Sequence, residues 1–237
     1  MNVPSALNRR TLICVFTGFA SGLPLYILIQ LIPAWLRSSD VSRLEIGLFS
    51  LVGLPYAWKF VWAPLLDRWV LPLGLRRGWM LLTQLLLIGC IAALGYIDPG
   101  QNLRSIVGLA VAIAVFSATQ DVAIDAYRRE LLPDEELGLG NSVHVQAYRI
   151  AGLVPGSLSL ILADQLPWVW VFWITAAFML VGVLLSLSIS EPERALPTHR
   201  GLRATVLAPF QEYVARRGWR DLALILFFMV AYKLGDN

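Results

Sequence analysis

Charge is the scarcest commodity in this chain. Only 15% of its 237 residues are Asp, Glu, Lys or Arg, where water-soluble domains carry about 25%, so a soluble globule of this size is excluded for want of polar surface. Cysteine is nearly absent, and Cys14 and Cys90 both fall inside apolar stretches. That excludes a disulfide-stapled scaffold and says nothing of the redox compartment. The histidines are His144 and His199, with no nucleophile, base or ligand cluster around either, so the sequence offers no enzyme site, metal site or cofactor site. A net charge of +3 and a pI near 9.1 do not point to nucleic acid, because the basic residues are sorted along the chain rather than gathered into a patch.

Apolar sequence is what abounds: 57% of residues, a mean hydropathy of +0.66, nine Trp and thirteen Pro. It comes in blocks of about 20, the helical length that crosses a bilayer core roughly 30 Å thick. The blocks run approximately over 11–36, 46–66, 79–97, 106–126, 142–162 and 168–189, and a seventh begins near Leu222 and breaks off at Asn237. Lipid cannot satisfy open backbone groups, and the two-residue alternation of barrel strands is missing, so the spans are helices. The first follows Arg9 and Arg10 as a signal peptide would, but it is too long and no small-residue cleavage site closes it. It reads as a retained helix of an all-α polytopic membrane protein.

The loops set the orientation. Arg9, Arg10, Arg68, Arg76, Arg77, Arg128, Arg129, Arg194, Arg200, Arg203, Arg216, Arg217 and Arg220 lie on one side, against Arg37, Arg43 and Arg104 on the other. The positive-inside rule makes the N terminus and the 191–220 segment cytoplasmic. Trp35, Trp168, Trp170 and Trp173 at one interface, and Trp79 and Trp219 at the other, read as an aromatic belt. Trp58 and Trp62 fall inside the second span.

Residues 1–190 therefore form a six-helix bundle, 191–220 a cytoplasmic loop whose 204–215 stretch suits a short surface helix, and 221–237 an incomplete seventh helix. This layout resembles the N-terminal half of a major facilitator superfamily (MFS) transporter, in which two such halves rock about a midplane site. After the second span, Ala63-Pro64-Leu65-Leu66-Asp67-Arg68 and then Gly74-Leu75-Arg76-Arg77-Gly78 resemble the superfamily's loop signature, with a longer stretch between Arg68 and Arg76. Asp67, Arg68, Arg76 and Arg77 read either as a gating loop, whose ion pairs hold one of two helix packings, or as plain positive-inside charge.

An ionisable group within a span costs roughly 2.5–3.5 kcal/mol on insertion scales, so each one needs a reason to be there. Lys59 lies eight residues before Asp67 and Arg149 eight after Asn141, each about 12 Å deep. Asp121 and Asp125 precede Arg128 by seven and three residues, roughly 10 and 5 Å, and their spacing puts both carboxylates on one helix face. Lys59, Asp121 and Arg149 thus share a layer. They form either an inert ion-pair network or a site where two cations take a substrate's carboxylates and an Asp carries the proton. Asp125 has the further option of pairing with Arg128 or Arg129. Lys233 and Asp236, about 20 and 24 Å beyond Arg220, share a face of the seventh helix, either as a self-contained pair or in substrate and proton handling. Gly18, Gly22 and Pro24, with Gly53 and Pro55, and Gly152, Pro155 and Gly156, permit close helix contact and kinks.

Several stretches together resemble one family within the MFS, the muropeptide permeases (AmpG family). They are Gly18-Phe19-Ala20-Ser21-Gly22-Leu23-Pro24, Ile46-Gly47-Leu48-Phe49-Ser50-Leu51-Val52-Gly53, and Lys59-Phe60-Val61-Trp62-Ala63-Pro64-Leu65-Leu66-Asp67-Arg68. With them go Arg76-Arg77-Gly78-Trp79, Ser117-Ala118-Thr119-Gln120-Asp121-Val122-Ala123-Ile124-Asp125-Ala126, Tyr148-Arg149 and Tyr232-Lys233-Leu234-Gly235-Asp236. The resemblance spans essentially the whole chain. It implies a proton-coupled importer in the bacterial inner membrane, carrying anhydromuropeptides, the disaccharide-peptide fragments of cell wall, from periplasm to cytoplasm. It makes Asp121, Asp125 and Asp236 proton-coupling candidates, and Lys59, Arg149, Lys233 and Gln120 substrate-binding candidates, with Trp58 or Trp62 stacking on sugar. A more distant likeness to acetyl-CoA transporters through the Gln120-Asp121 region keeps a porter for another organic anion as the alternative. The family has a second half, and this chain stops within its seventh helix. A complete cavity then calls for a C-terminal half or a second copy, and a truncated, non-transporting fragment is the remaining reading.

Overall fold

The computed structural model describes residues 8–192 and 211–235, which fall in two compact units, Met1–Pro197 and Thr198–Asn237. In the first unit six helices are long and apolar enough to cross a membrane: α1 (Arg9–Ser38), α2 (Arg43–Val61), α3 (Arg77–Leu94), α4 (Leu103–Leu131), α5 (Leu137–Ala163) and α6 (Trp168–Ser188). Each corresponds to one apolar block. α1 begins where Asn8 caps it, its Oδ1 accepting the Thr11 N–H at 2.8 Å, which satisfies one orphan donor of the first turn. α4 runs past its apolar block to Leu131 because the charged residues of its last turns find ion-pair partners.

The second block is the one that departs from a regular helix. Ser50–Gly53 and Lys59–Val61 are 3-10 turns, and a last helical turn follows at Ala63–Leu66. Pro55 and Pro64 sit in the first turn of the α-helical pieces, where a missing N–H is tolerated; Pro64 also denies the Phe60 carbonyl its i+4 donor. Lys59 stands at this break. α2 is also the least enclosed of the six, with 12% of its apolar window buried against 33% or more elsewhere.

α1 and α5 form the most extensive helix pair. A Cβ at Gly18 would overlap the His144 carbonyl, and one at Gly22 the Tyr148 carbonyl, so the two backbones touch with no side chain between them, the close approach that small residues allow. Farther along, Ile27–Leu31 of α1 and Val154–Leu158 of α5 each widen into a π-helical turn, and these turns meet. The main core fills this end of the bundle. Trp35, expected in the aromatic belt, is 1% exposed and packs edge-on against Phe172 at 4.8 Å between ring centroids, with Trp168 beside it. Burying an indole among rings is worth more than leaving it at an interface. A smaller cluster, including Ile13, Met80, Ile124 and Tyr127, fills the other end.

In the second unit a helical stretch over 211–217 leads through Gly218, whose φ of 86° suits glycine, into α7 (Trp219–Gly235). Asp236, Arg194, Arg200, Arg203 and His199 lie outside the described residues, as does the 204–210 part of the expected surface helix. Of Lys233 only the helical backbone is described.

Candidate functional site

Three successive residues of α4 fasten it to α1 and α2, because neighbours on a helix point about 100° apart. Thr119 Oγ1 accepts a hydrogen bond from Trp62 Nε1 of the α2 segment at 3.1 Å. Gln120, fully buried, donates from Nε2 to the Ala20 carbonyl of α1 at 2.9 Å. That carbonyl is free because Pro24, four residues on, has no N–H to give it. Asp121, 8% exposed, accepts a 2.5 Å hydrogen bond from Ser21 Oγ at Oδ1 and faces Lys59 Nζ at 3.7 Å through Oδ2. Both carboxylate oxygens are engaged, as a buried charge requires. The Lys59 side chain is 34% exposed against 11% for Asp121, so the ammonium is the open member of the pair.

From Asp121 a cleft of about 370 Å³ runs between α1, α4 and α5. Ser21 and Tyr26 line it from α1, Asp121, Asp125 and Arg128 from α4, and Asn141, His144, Tyr148 and Arg149 from α5. The layer expected from sequence is thus assembled in two ways: Lys59 and Asp121 pair directly, while Arg149 joins Asp121 only as a wall of the cleft. Exposed there, Arg149 makes no ion pair among the described residues. Asp125 pairs with Arg128 at 2.9 Å. Trp58 is 59% exposed, and neither it nor Trp62 belongs to the cleft wall. Sequence reasoning missed Ser21, Tyr26, His144 and Tyr148. The available signal was spacing: His144 and Tyr148 are one turn apart on the face that carries Gly18 and Gly22 contacts, and Ser21 sits between those glycines.

The loop residues form a second constellation where the ends of α2, α3, α4 and α6 meet. Arg76 pairs with Asp67 at 2.5 Å and doubly with Glu130 of α4, Nη2–Oε1 at 2.7 Å and Nε–Oε1 at 3.0 Å. Burial works against its charge, but the hydrogen bonds to Glu130 and Asp67 and their negative charge outweigh it and raise the guanidinium pKa. Glu191, just past α6, accepts the backbone N–H groups of Arg76 at 2.6 Å and Arg77 at 3.0 Å. Arg77 returns the favour, donating to the Ser186 and Leu187 carbonyls at the end of α6. Each helix end thus meets a charge of the sign its dipole favours. Gly74 makes this possible: its φ is 113°, and a Cβ there would sit 2.6 Å from Glu191 Oε2. Arg68 is exposed and makes no ion pair among the described residues. Glu130 and Glu191 escaped the sequence reading because loop-charge counting weighs only Lys and Arg.

The Major Facilitator Superfamily profile matches residues 14–234. A Haemophilus influenzae protein described as uncharacterized is 47% identical over 97% of this chain and 55% of its own length. The anhydromuropeptide permease of Escherichia coli K12 is 43% identical over 96% of the chain and 46% of its own length. A Rickettsia conorii putative transporter, AmpG 4, is 27% identical over 92% of the chain and 55% of its own length. The chain spans about half the length of the curated relatives it matches.

Proposed function

This chain belongs to the major facilitator superfamily, and we propose that it is the N-terminal half of a proton-coupled permease importing anhydromuropeptides. In this reading residues 1–190 are the six-helix bundle, 191–220 the cytoplasmic link and 221–237 the start of a seventh span, in a bacterial inner membrane with the N terminus inside. A C-terminal half or a second copy closes the open side of the cleft. The observation that carries the reading is the enclosed Asp121, held by Ser21 and Lys59 at the head of a cleft that also presents Arg149. The 43% identity to an anhydromuropeptide permease supports that choice of substrate.

In this reading coupling works through charge. Ionised, Asp121 occupies Lys59; protonated, it no longer holds the ammonium, which turns to a peptide carboxylate of the substrate, with Arg149 taking a second. Substrate and proton are then bound together, and loss of the proton to the low-acid side restores the Lys59–Asp121 pair and expels the cargo. Asp125 and, on α7, Asp236 are the further proton candidates, and Lys233 a further substrate cation. Gln120 and Trp62 serve by holding α4 against α1 and α2, and Trp58 by meeting whatever packs on α2. Asp67, Arg76 and Arg77, with Arg68 beside them, hold one of the two packings.

The test is uptake of labelled anhydromuropeptide by the complete permease carrying Asp121→Asn. Loss of uptake, or of its dependence on the proton gradient, is expected; unchanged gradient-driven uptake would remove Asp121 from coupling.

A further inference from the structure

The cleft contains more than charges. Tyr26 of α1 and Tyr148 of α5 both line it, half-buried, with ring centroids 5.8 Å apart and planes tilted by 59°. At that tilt the rings do not cover one another as a parallel stack would. Glycines hold them in place: a Cβ at Gly152 would come within 3.0 Å of the Tyr26 ring, and Gly22 packs on the Tyr148 backbone. Among the described residues neither phenol makes a hydrogen bond within the protein, and neither hydroxyl is among the buried atoms left without a partner. They are therefore open to the cleft, each combining an apolar ring with a free hydroxyl.

A fixed aromatic surface with hydroxyls at its edge is the chemistry that receives a pyranose ring. The C–H face of the sugar packs on the aromatic face, and the sugar hydroxyls or N-acetyl groups meet the phenols. The tryptophans that sequence favoured for this role are placed otherwise, Trp58 outside the cleft wall and Trp62 with its N–H committed to Thr119. Arg149, next to Tyr148 in the chain, also lines the cleft. We propose that Tyr26 and Tyr148 form the saccharide subsite of the cleft, adjoining the cationic end that takes the peptide's carboxylates. The assignment rests on the transport reading above and adds to it which residues select the sugar.

The experiment measures initial uptake rates of labelled anhydromuropeptide by the complete permease, wild type and variants, at equal membrane levels. Tyr26→Leu and Tyr148→Leu raise KM by roughly fivefold to tenfold, the scale of one lost aromatic contact, with the maximal rate retained. The unlabelled disaccharide without peptide, used as competitor, loses potency by the same factor. Tyr26→Phe and Tyr148→Phe, which keep the ring and lose only the hydroxyl's hydrogen bond, raise KM by a smaller factor, about twofold to fourfold. Leu variants with wild-type KM, or Leu and Phe variants that alike lose only maximal rate, overturn the saccharide subsite while leaving the transport reading intact. A wild type that accumulates no labelled anhydromuropeptide overturns the transport reading and the subsite with it.

Discussion

The Lys59–Asp121 pair permits a quantitative test that needs no substrate. Two unit charges 3.7 Å apart attract by about 4.5 kcal/mol at an effective dielectric of 20 and by about 1 kcal/mol in bulk water. Lys59 is one-third exposed, so its field is partly screened, and a coupling near 2 kcal/mol is expected. The perturbation is a double-mutant cycle of Lys59→Met, Asp121→Asn and both together, with unfolding free energies measured by denaturant titration of the chain in detergent micelles. Lys59→Met leaves the Asp121 carboxylate, and Asp121→Asn the Lys59 ammonium, facing no counter-charge in its span, while the amide of Asp121→Asn keeps an acceptor for Ser21. The double variant removes both charges and should destabilise by about 2 kcal/mol less than the sum of the singles. Additivity within about 0.5 kcal/mol would refute the idea that the two groups hold one another.

Three other outcomes follow from the geometry. Arg149→Gln, in the complete permease, should weaken uptake more for the peptide-bearing fragment than for the bare disaccharide; equal loss in competition assays would make Arg149 structural. Gly18→Ala would push a methyl group into the His144 carbonyl and should lower unfolding free energy by about 1–3 kcal/mol, visible as a lower melting temperature in detergent, whereas Gly89→Ala, where a Cβ meets nothing within 4 Å, should not. Arg76→Gln strands the Glu130 and Asp67 carboxylates and should cost about 2–4 kcal/mol. Because the Arg76 pKa is raised, its contribution is complete at every pH below the ordinary arginine value and fades only as pH climbs through the raised one. The stability gap between wild type and Arg76→Gln should therefore stay flat from about pH 6 to 10, and a gap that closes within that range would contradict the assignment.

The six helices were legible because crossing a membrane demands an apolar length that nothing else in a sequence imitates. Lys59 and Asp121 were legible for the complementary reason: charges in a span are so costly that few are kept, and these two meet across α2 and α4. The rest was hidden where no such penalty operates. Tyr26 and Tyr148 are at home in lipid, in a core or in a cleft, so nothing in the sequence singles out their place. The bond from Gln120 to the Ala20 carbonyl was hidden because only Pro24, in another helix, sets that carbonyl free. Trp35 read as a belt residue because its position at the end of a span fits both an interface and a core, and only Phe172 and Trp168 decide. Glu191 acts on a helix more than a hundred residues earlier, a distance that no local pattern spans.

The contact of α1 with α5 at Gly18 and Gly22 has a mechanical corollary. Two backbones pressed together without intervening side chains have no bearing surface on which to slide, so the pair behaves as one welded beam. Ser21, Tyr26, Tyr148 and Arg149 ride on that beam, and their mutual spacing is set at folding. α2, broken at Lys59 and the least enclosed of the six, is the slack member. Asp121 of α4 is moored to the beam by Ser21, so a shift of α2 against the beam would register first as a change in the Lys59-to-Asp121 separation.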